Sequence, residues 1–217
     1  MFKKFLEKFY KKEKIGNTRI VTILGKKYTY DRNKFRASKI AFSAKIKNAK
    51  LMGANKISKN AVISADKESE VVIHEGTDIG IATTIKAING AHITIGKNCR
   101  IGRNNNIISC QHDIEIQDNV LMASQIGFFT GNHCYQDIST PIMYQPGIGA
   151  KITIKKDSWI ANNVMILTGV TIGEHSVIGG GSVVTKSIPD YCVAAGNPCR
   201  VIKKYNFETQ QWERVNS

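Results

Sequence analysis

The sequence predicts an all-β solenoid in which short strands wind around a three-sided prism, and three observations predict it. From Ile154 onward an aliphatic residue recurs at every sixth position: Ile154, Ile160, Ile166, Ile172, Ile178 and Val184. With 49 Ile, Leu and Val among 217 residues, six such hits in one frame arise by chance only about once in ten thousand trials. Small residues follow the aliphatic in Ile79-Gly80, Ile95-Gly96, Ile101-Gly102, Ile160-Ala161, Ile172-Gly173 and Ile178-Gly179, which marks corners. A period of six also matches neither the 3.6-residue helix nor simple strand alternation, whereas a short strand plus a turn accommodates it.

Residues 1–55 precede the repeat and are expected to form a basic region that caps one end of the prism. Within Met1–Lys14 the apolar Phe2, Phe5, Leu6, Phe9 and Tyr10 fall at helical spacing between lysines, the pattern of an amphipathic helix. The repeat is assigned to 56–204, with an upstream frame at Ile73, Ile79, Ile85, then Ile95, Ile101, Ile107, then Ile116, Met122, Phe128. A small irregularity near Lys86–Ala91 reads as a bulged corner. The stretch 129–150 breaks the period with His133, Pro141, Pro146, Gly147 and Gly149, so it should leave the prism as an external loop, where chemistry concentrates. Three hexapeptides make an 18-residue coil, so Ile154–Thr171 and Ile172–Pro189 are successive turns, each burying its aliphatics on the next. Pro189 is expected to end the last regular strand. Residues 205–217 form a tail in which Phe207–Val215 suits a short terminal helix.

Charge and cysteine usage narrow the function. The net charge of +14 is concentrated: residues 1–59 carry 18 Lys and Arg against Glu7, Glu13 and Asp31, and the remainder is nearly neutral. An interaction segment of this kind fits an anionic glycan or an anionic membrane surface. Nucleic acid is disfavoured, because the lysines are not interleaved with stacking aromatics. Five cysteines lack CxxC or CxxH spacing, which argues against a disulfide framework or a zinc site and for reduced thiols in the cytoplasm. No run of about 18 apolar residues occurs, and the N-terminus lacks an apolar stretch followed by a small-residue cleavage site, so a soluble intracellular protein is expected. The five histidines show no pair with metal-ligand spacing, so no metal is expected.

Residues 113–202, with D-I-E-I-Q-D-N-V-L-M-A-S, T-G-N-H-C-Y-Q-D, S-W-I-A-N-N-V-M-I-L-T-G-V-T-I-G, V-I-G-G-G-S-V-V-T-K-S-I-P and V-A-A-G-N-P-C-R-V-I, resemble the galactoside, maltose and nodulation acetyltransferases of the hexapeptide-repeat family. The H-x-Y-x-D segment brings them nearest the capsule and glycan O-acetyltransferase branch, although Gly131 stands where that branch often has an earlier histidine. The resemblance implies a left-handed parallel β-helix, a homotrimer with active sites between subunits, and acetyl-CoA as co-substrate. It implies that His133 is the catalytic base. Matching cofactor positions are Asn162, Gly180, Thr185, Lys186, Arg200 and Lys203; Trp159 would wall the acetyl group or the sugar. Asn104, Asn106, Asp113 and Tyr135 are candidates for the acceptor, with Asn amide ladders also a common structural device in solenoids. The expected activity is transfer of acetyl from acetyl-CoA to a hydroxyl of a surface carbohydrate of capsule, lipopolysaccharide or sialic-acid type. An amino-sugar N-acetyltransferase, a drug-inactivating acetyltransferase and a non-catalytic glycan-binding scaffold are the alternatives.

Overall fold

The structure is a computed structural model that describes residues 10–15, 18–23, 26–31 and 38–215, with side chains from residue 38 onward. The chain divides into two units, Met1–Ser38 and Lys39–Ser217. In the first, strands Tyr10–Ile15, Thr18–Ile23 and Lys26–Asp31 form an antiparallel meander. The helix expected over Met1–Lys14 is therefore replaced by strand at Tyr10–Lys14; Met1–Phe9 lies outside the described residues. The β-branched run Thr18–Ile23 offers a neighbouring strand that pairs Tyr10–Ile15 along its whole length, and this pairing outweighs the helical spacing of the apolar residues.

The second unit is a parallel β-helix with three faces. The first face stacks Ile57, Ile79, Ile101, Met122, Ile160 and Ile178 in direct register. The second stacks Ile63, Ile85, Ile107, Phe128, Ile166 and Val184, and the third Ile73, Ile95, Ile116, Ile154 and Ile172. Every one of these side chains is buried. Each buried aliphatic contributes roughly 1.5–3 kcal/mol of transfer free energy, so the column is held by contacts between consecutive coils. Corners require residues in the left-handed backbone region, and Asn60, Asn98, Asn104, Asn119 and Asn163 supply them with φ between 55° and 60°, a conformation Asn tolerates better than other non-glycine residues. At the fifth position of the repeat the Ser158 and Ser176 hydroxyls donate to the Gly173 and Pro189 carbonyls at 2.7 and 2.9 Å. These bonds satisfy corner carbonyls that the ladder leaves over.

Three boundaries differ from expectation. The coil starts at Lys39, whose strand Lys39–Ile40 already pairs with Lys56–Ile57, so the column begins before residue 56. The irregularity near Lys86–Ala91 is a regular widening: Val62–Ala65, Thr84–Ile88 and Asn106–Cys110 run in register and turn small residues Ala65, Ala87 and Ser109 inward beside the aliphatics. Pro189 does not end the sheets, because Cys192–Ala195 pairs with Val177–Ile178 on the first face. From there Arg200–Asn206 and Gln211–Arg214 add an antiparallel hairpin, so neither a terminal helix over Phe207–Val215 nor a separate tail from residue 205 is present. Edge-to-face contacts of Tyr205 with Phe207 and Trp212, at 5.1 and 5.4 Å, lock the hairpin. Aromatic pairs of this geometry favour it beyond their burial alone.

The excursion after Phe129 leaves at the edge between the second and third faces. It opens as an antiparallel pair, Gly131–His133 against Gly147–Gly149, and returns to the third face at Ile152–Ile154. Its tip holds a single 3-10 turn, Ile142–Tyr144. No helix among the described residues is long and apolar enough to cross a membrane.

Candidate active site

His133 ends the outgoing strand of this arm and is exposed. Its backbone faces Gly147 in register, and the next residue, Cys134, donates its N–H to the Pro146 carbonyl at 2.9 Å. The arm is pinned at both ends. At its root, a Cβ on Gly149 would lie 2.2 Å from the Thr130 carbonyl oxygen and 2.4 Å from Cδ2 of His112, so only glycine lets the returning strand pass. At its tip, Gln145 is 7% exposed. Its Nε2 donates to the Asp137 and Thr140 carbonyls, both at 2.8 Å, and its Oε1 accepts from the Asp137 N–H at 3.4 Å. The Asp137 carboxylate accepts from the Ser139 hydroxyl at 2.6 Å and the Ser139 N–H at 2.8 Å. The Ser139 hydroxyl and that of Thr140 hold the acid down at about 2. An imidazole on a rigid arm is what general-base catalysis needs in geometric terms. Neither Gln145 nor His112 was singled out by sequence reasoning; a polar residue between Tyr144 and Pro146 carries no local signal of its burial.

The other candidates fall on two separate edges. Trp159 lies on the first face, 48% exposed, in register with Leu121 and Val177. Asn162 and Gly180 occupy successive coils of the edge between the first and second faces, where the Asn162 carbonyl accepts the Gly181 N–H at 2.9 Å. Arg200 opposes Ala195 in the adjoining hairpin, and its guanidinium donates to the Cys199 carbonyl at 2.9 Å; Lys203 opposes Val193 on the same sheet. Thr185 and Lys186 instead follow Val183–Val184 on the opposite edge of the second face, the edge from which the His133 arm springs two coils below. Between Asn163 and Gly169 the second face is about six residues across, roughly 20 Å of extended chain. Within one chain the His133 arm and the Asn162–Gly180 edge therefore stand apart.

Local chemistry at that edge suits a long, thin ligand. A Cβ on Gly180 would come within 3.2 Å of the Asn162 carbonyl, and one on Gly181 would meet nothing within 4 Å, so bare backbone lines the corner. The Ala161 N–H is spent on the Ile178 carbonyl at 3.0 Å. That of Asn162 has no partner among the described residues and remains a free donor. The Asn162 side chain is partly committed: its Oδ1 accepts the Ser124 N–H at 3.0 Å.

The acceptor candidates divide in the same way. Asn104 is a left-handed corner residue, φ 55°, and Asn106 is exposed on the second face. Asn105 between them is fully buried and structural, donating to the Gly102 and Ala123 carbonyls at 2.9 Å and accepting the Ile126 N–H at 2.8 Å. Asp113 sits on the arm's edge, where it accepts the His92 N–H at 2.9 Å. Tyr135 is on the arm, 69% exposed. A shallow groove of about 320 Å³ on the third face is lined by His74, Thr94, Glu115, Gln117 and Lys156 among others, and none of the candidate residues lines it. No group of three or more potential ligands among the described residues could hold a metal ion.

Residues 151–186 match the family described as bacterial transferase hexapeptide (six repeats). The chain is 42% identical over 122 residues to galactoside O-acetyltransferase of Escherichia coli K12, covering 53% of this chain and 58% of that protein. A second Escherichia coli K12 protein, WbbJ, named for O-acetyl transfer in lipopolysaccharide biosynthesis, is 32% identical over 144 residues, 63% of this chain and 72% of that one. Among solved structures, the polySia-specific acetyltransferase NeuO aligns with a TM-score of 0.62 at 25% identity, over 79% of this chain and 72% of that chain. The column is thus the left-handed parallel β-helix of hexapeptide transferases. The chain belongs to the hexapeptide-repeat acetyltransferase family. It spans little more than half the length of several curated relatives it matches.

Proposed function

We propose that this protein transfers the acetyl group of acetyl-CoA to a hydroxyl of a surface carbohydrate, in a site completed by two copies of the chain within a homotrimer. The observation that carries the proposal is the division of the candidate residues between two edges of one column. An arm bearing His133, Tyr135 and, beside its root, Asp113 occupies one edge; bare backbone at Gly180 with Asn162 occupies the other. A neighbouring copy that brings its glycine-lined edge to the arm joins them. Exposed Ile138, Ile142, Met143, Tyr144 and Ile148 on the arm, and Trp159 and Leu121 on the column, give that contact apolar surface to bury.

In this reading the residues divide the work. His133 takes the proton from the acceptor hydroxyl as its oxygen attacks the thioester carbonyl, and returns it to the departing thiolate sulfur. The Asn162 N–H stabilises the oxyanion of the tetrahedral intermediate. Trp159 walls the acetyl group. Arg200 and Lys203, with Lys186 and Thr185 at the arm's edge, hold the phosphates of the donor. Direct transfer needs no acyl-enzyme. Asn104, Asn106 and Asp113 orient the sugar. Acetyl-CoA is an intracellular metabolite, so the reaction belongs in the cytoplasm, before the glycan is exported.

The test is an acceptor screen that detects free thiol, run with wild type and His133→Ala in parallel. Thiol release that depends on a carbohydrate and falls at least a hundredfold in the variant supports the reading; release indifferent to His133 overturns it. Mild alkali then removes an ester but not an amide from the product, which separates O-acetylation from transfer to an amino sugar.

A further inference from the structure

Acidic residues are absent from one continuous part of the column. On the second face and on its edge with the first face, the chain places Lys45, Lys47, Lys59, Lys86 and Arg103, and no Asp or Glu. All five are exposed, and none is in an ion pair among the described residues. On the other faces several cations are matched, although Lys39, Lys67 and Lys186, and Arg200, Lys203, Lys204 and Arg214 of the hairpin, are in no ion pair among the described residues. Lys50 pairs with Glu70, Lys97 with Glu75, Lys151 with Glu115 and Lys156 with Glu174 on the third face and its edges; on the first face Asp78 takes both Lys56 and Arg100.

The five cations of the strip are aligned along the column. Lys47 and Lys86 share one line of register, with Ser64 between them. Lys59 and Arg103 share one line of the edge with Ile81 between, through the Ala82-to-Lys59 and Asn104-to-Ile81 backbone bonds. Neighbouring strands lie about 4.8 Å apart, so positive charge recurs about every 10 Å along the axis. The strip leads to the candidate acceptor residues: Arg103 adjoins Asn104, and Lys45 shares its line with Val62, Thr84 and Asn106.

We infer that this acid-free strip is the track for a polyanionic, carboxylate-bearing polysaccharide, which lies along the column with its reacting sugar beside Asn104 and Asn106. The inference rests on the reading of the chain as a glycan acetyltransferase and names its acceptor class. Unpaired like charges repel one another, and a polymer with regularly spaced carboxylates relieves that repulsion while remaining hydrated and mobile. Two copies paired strip to strip would set cation against cation. Nucleic acid is a poorer match, because the exposed aromatics of this surface, Phe42 and Phe129, stand at its ends rather than between the cations.

The experiment compares the full chain, its triple variant Lys47→Gln, Lys86→Gln, Arg103→Gln, and a control triple, Lys67→Gln, Lys97→Gln, Lys151→Gln, which removes the same charge from the third face and its edges. Binding is measured without acetyl-CoA to sialic acid homopolymer and polygalacturonate, to neutral dextran, to phosphatidylglycerol vesicles and to single-stranded RNA. Each exposed charge pair contributes up to about a fivefold factor. The strip variant should therefore bind both acidic polysaccharides about tenfold more weakly, with the control within twofold of wild type and dextran unbound throughout. Equal weakening by the two triples overturns the inference, as does an equally strip-dependent, tighter capture of vesicles or RNA. If strip-dependent binding holds but no carbohydrate releases thiol, the track stands and the catalytic reading fails. If small acceptors are acetylated while polymer affinity ignores the strip, the reverse is true.

Discussion

Replacing Gly149 with alanine would set a Cβ 2.2 Å from the Thr130 carbonyl oxygen and 2.4 Å from Cδ2 of His112. Ordinary contact begins at 3.4 Å, so the returning strand of the arm must retreat by about 1 Å, the scale of misplacement that costs on the order of a hundredfold in rate. Backbone cannot rotate away as a side chain can, and truncating His112 leaves the clash with Thr130 in place. Gly149 faces Gly131 in the arm's ladder, two residues before His133, so the retreat reaches the imidazole directly. We expect Gly149→Ala to lose about a hundredfold in kcat, measured by thiol release at saturating donor, while thermal unfolding shifts only by the roughly 1–3 kcal/mol of local overpacking. A variant with wild-type kcat would refute the claim that the root of the arm places His133.

Other outcomes follow from the same geometry. Ile95→Ala removes a fully buried rung of the third face and should cost about 2–5 kcal/mol in denaturant unfolding. Asp137, held at about 2 by the Ser139 hydroxyl, has a depressed folded-state value. Its contribution to the arm's tip is therefore complete above the ordinary carboxylate value of 3.8 and is lost as pH falls towards 2, which amide hydrogen exchange of residues 137–145 should follow; Ser139→Ala should move that loss to higher pH. Burial pushes the Cys99 thiol up to about 11 and raises Cys192 and Cys199, so a thiol reagent at pH 8 should label Cys110 and Cys134 well before these three, unless the column is unfolded.

The period of six was legible because each face admits one aliphatic side chain per coil, and a polar residue there would be buried without partners. The widening of the middle coils was hidden for the opposite reason: the additional inward residues, Ala65, Ala87 and Ser109, are small and carry no hydrophobic signal. The C-terminal hairpin was missed because Phe207 and Trp212 fit an amphipathic helix as well as the two arms of a turn, and their choice depends on Tyr205 and Tyr191 as partners. His133 is a candidate from its motif alone. That the candidates Asn162 and Gly180 lie on a different edge could not be read from the sequence, since nothing local records how many coils and corners separate Phe129 from Asn162. The clamp by Gln145 is likewise a product of the arm's closure, visible only when Asp137 and Thr140 fold back over it.

A site shared by two chains has a direct signature in mixed assemblies. His133→Ala removes the base from the arm, and Gly180→Leu blocks the opposite edge, so each pure variant should be inactive. When the two are unfolded together and reassembled in equal amounts, about one junction in four joins an intact arm to an intact edge if assembly is random. Thiol release should then return to about a quarter of the wild-type rate. A mixture as inactive as its parents, with exchange of chains verified by mass, would contradict the account.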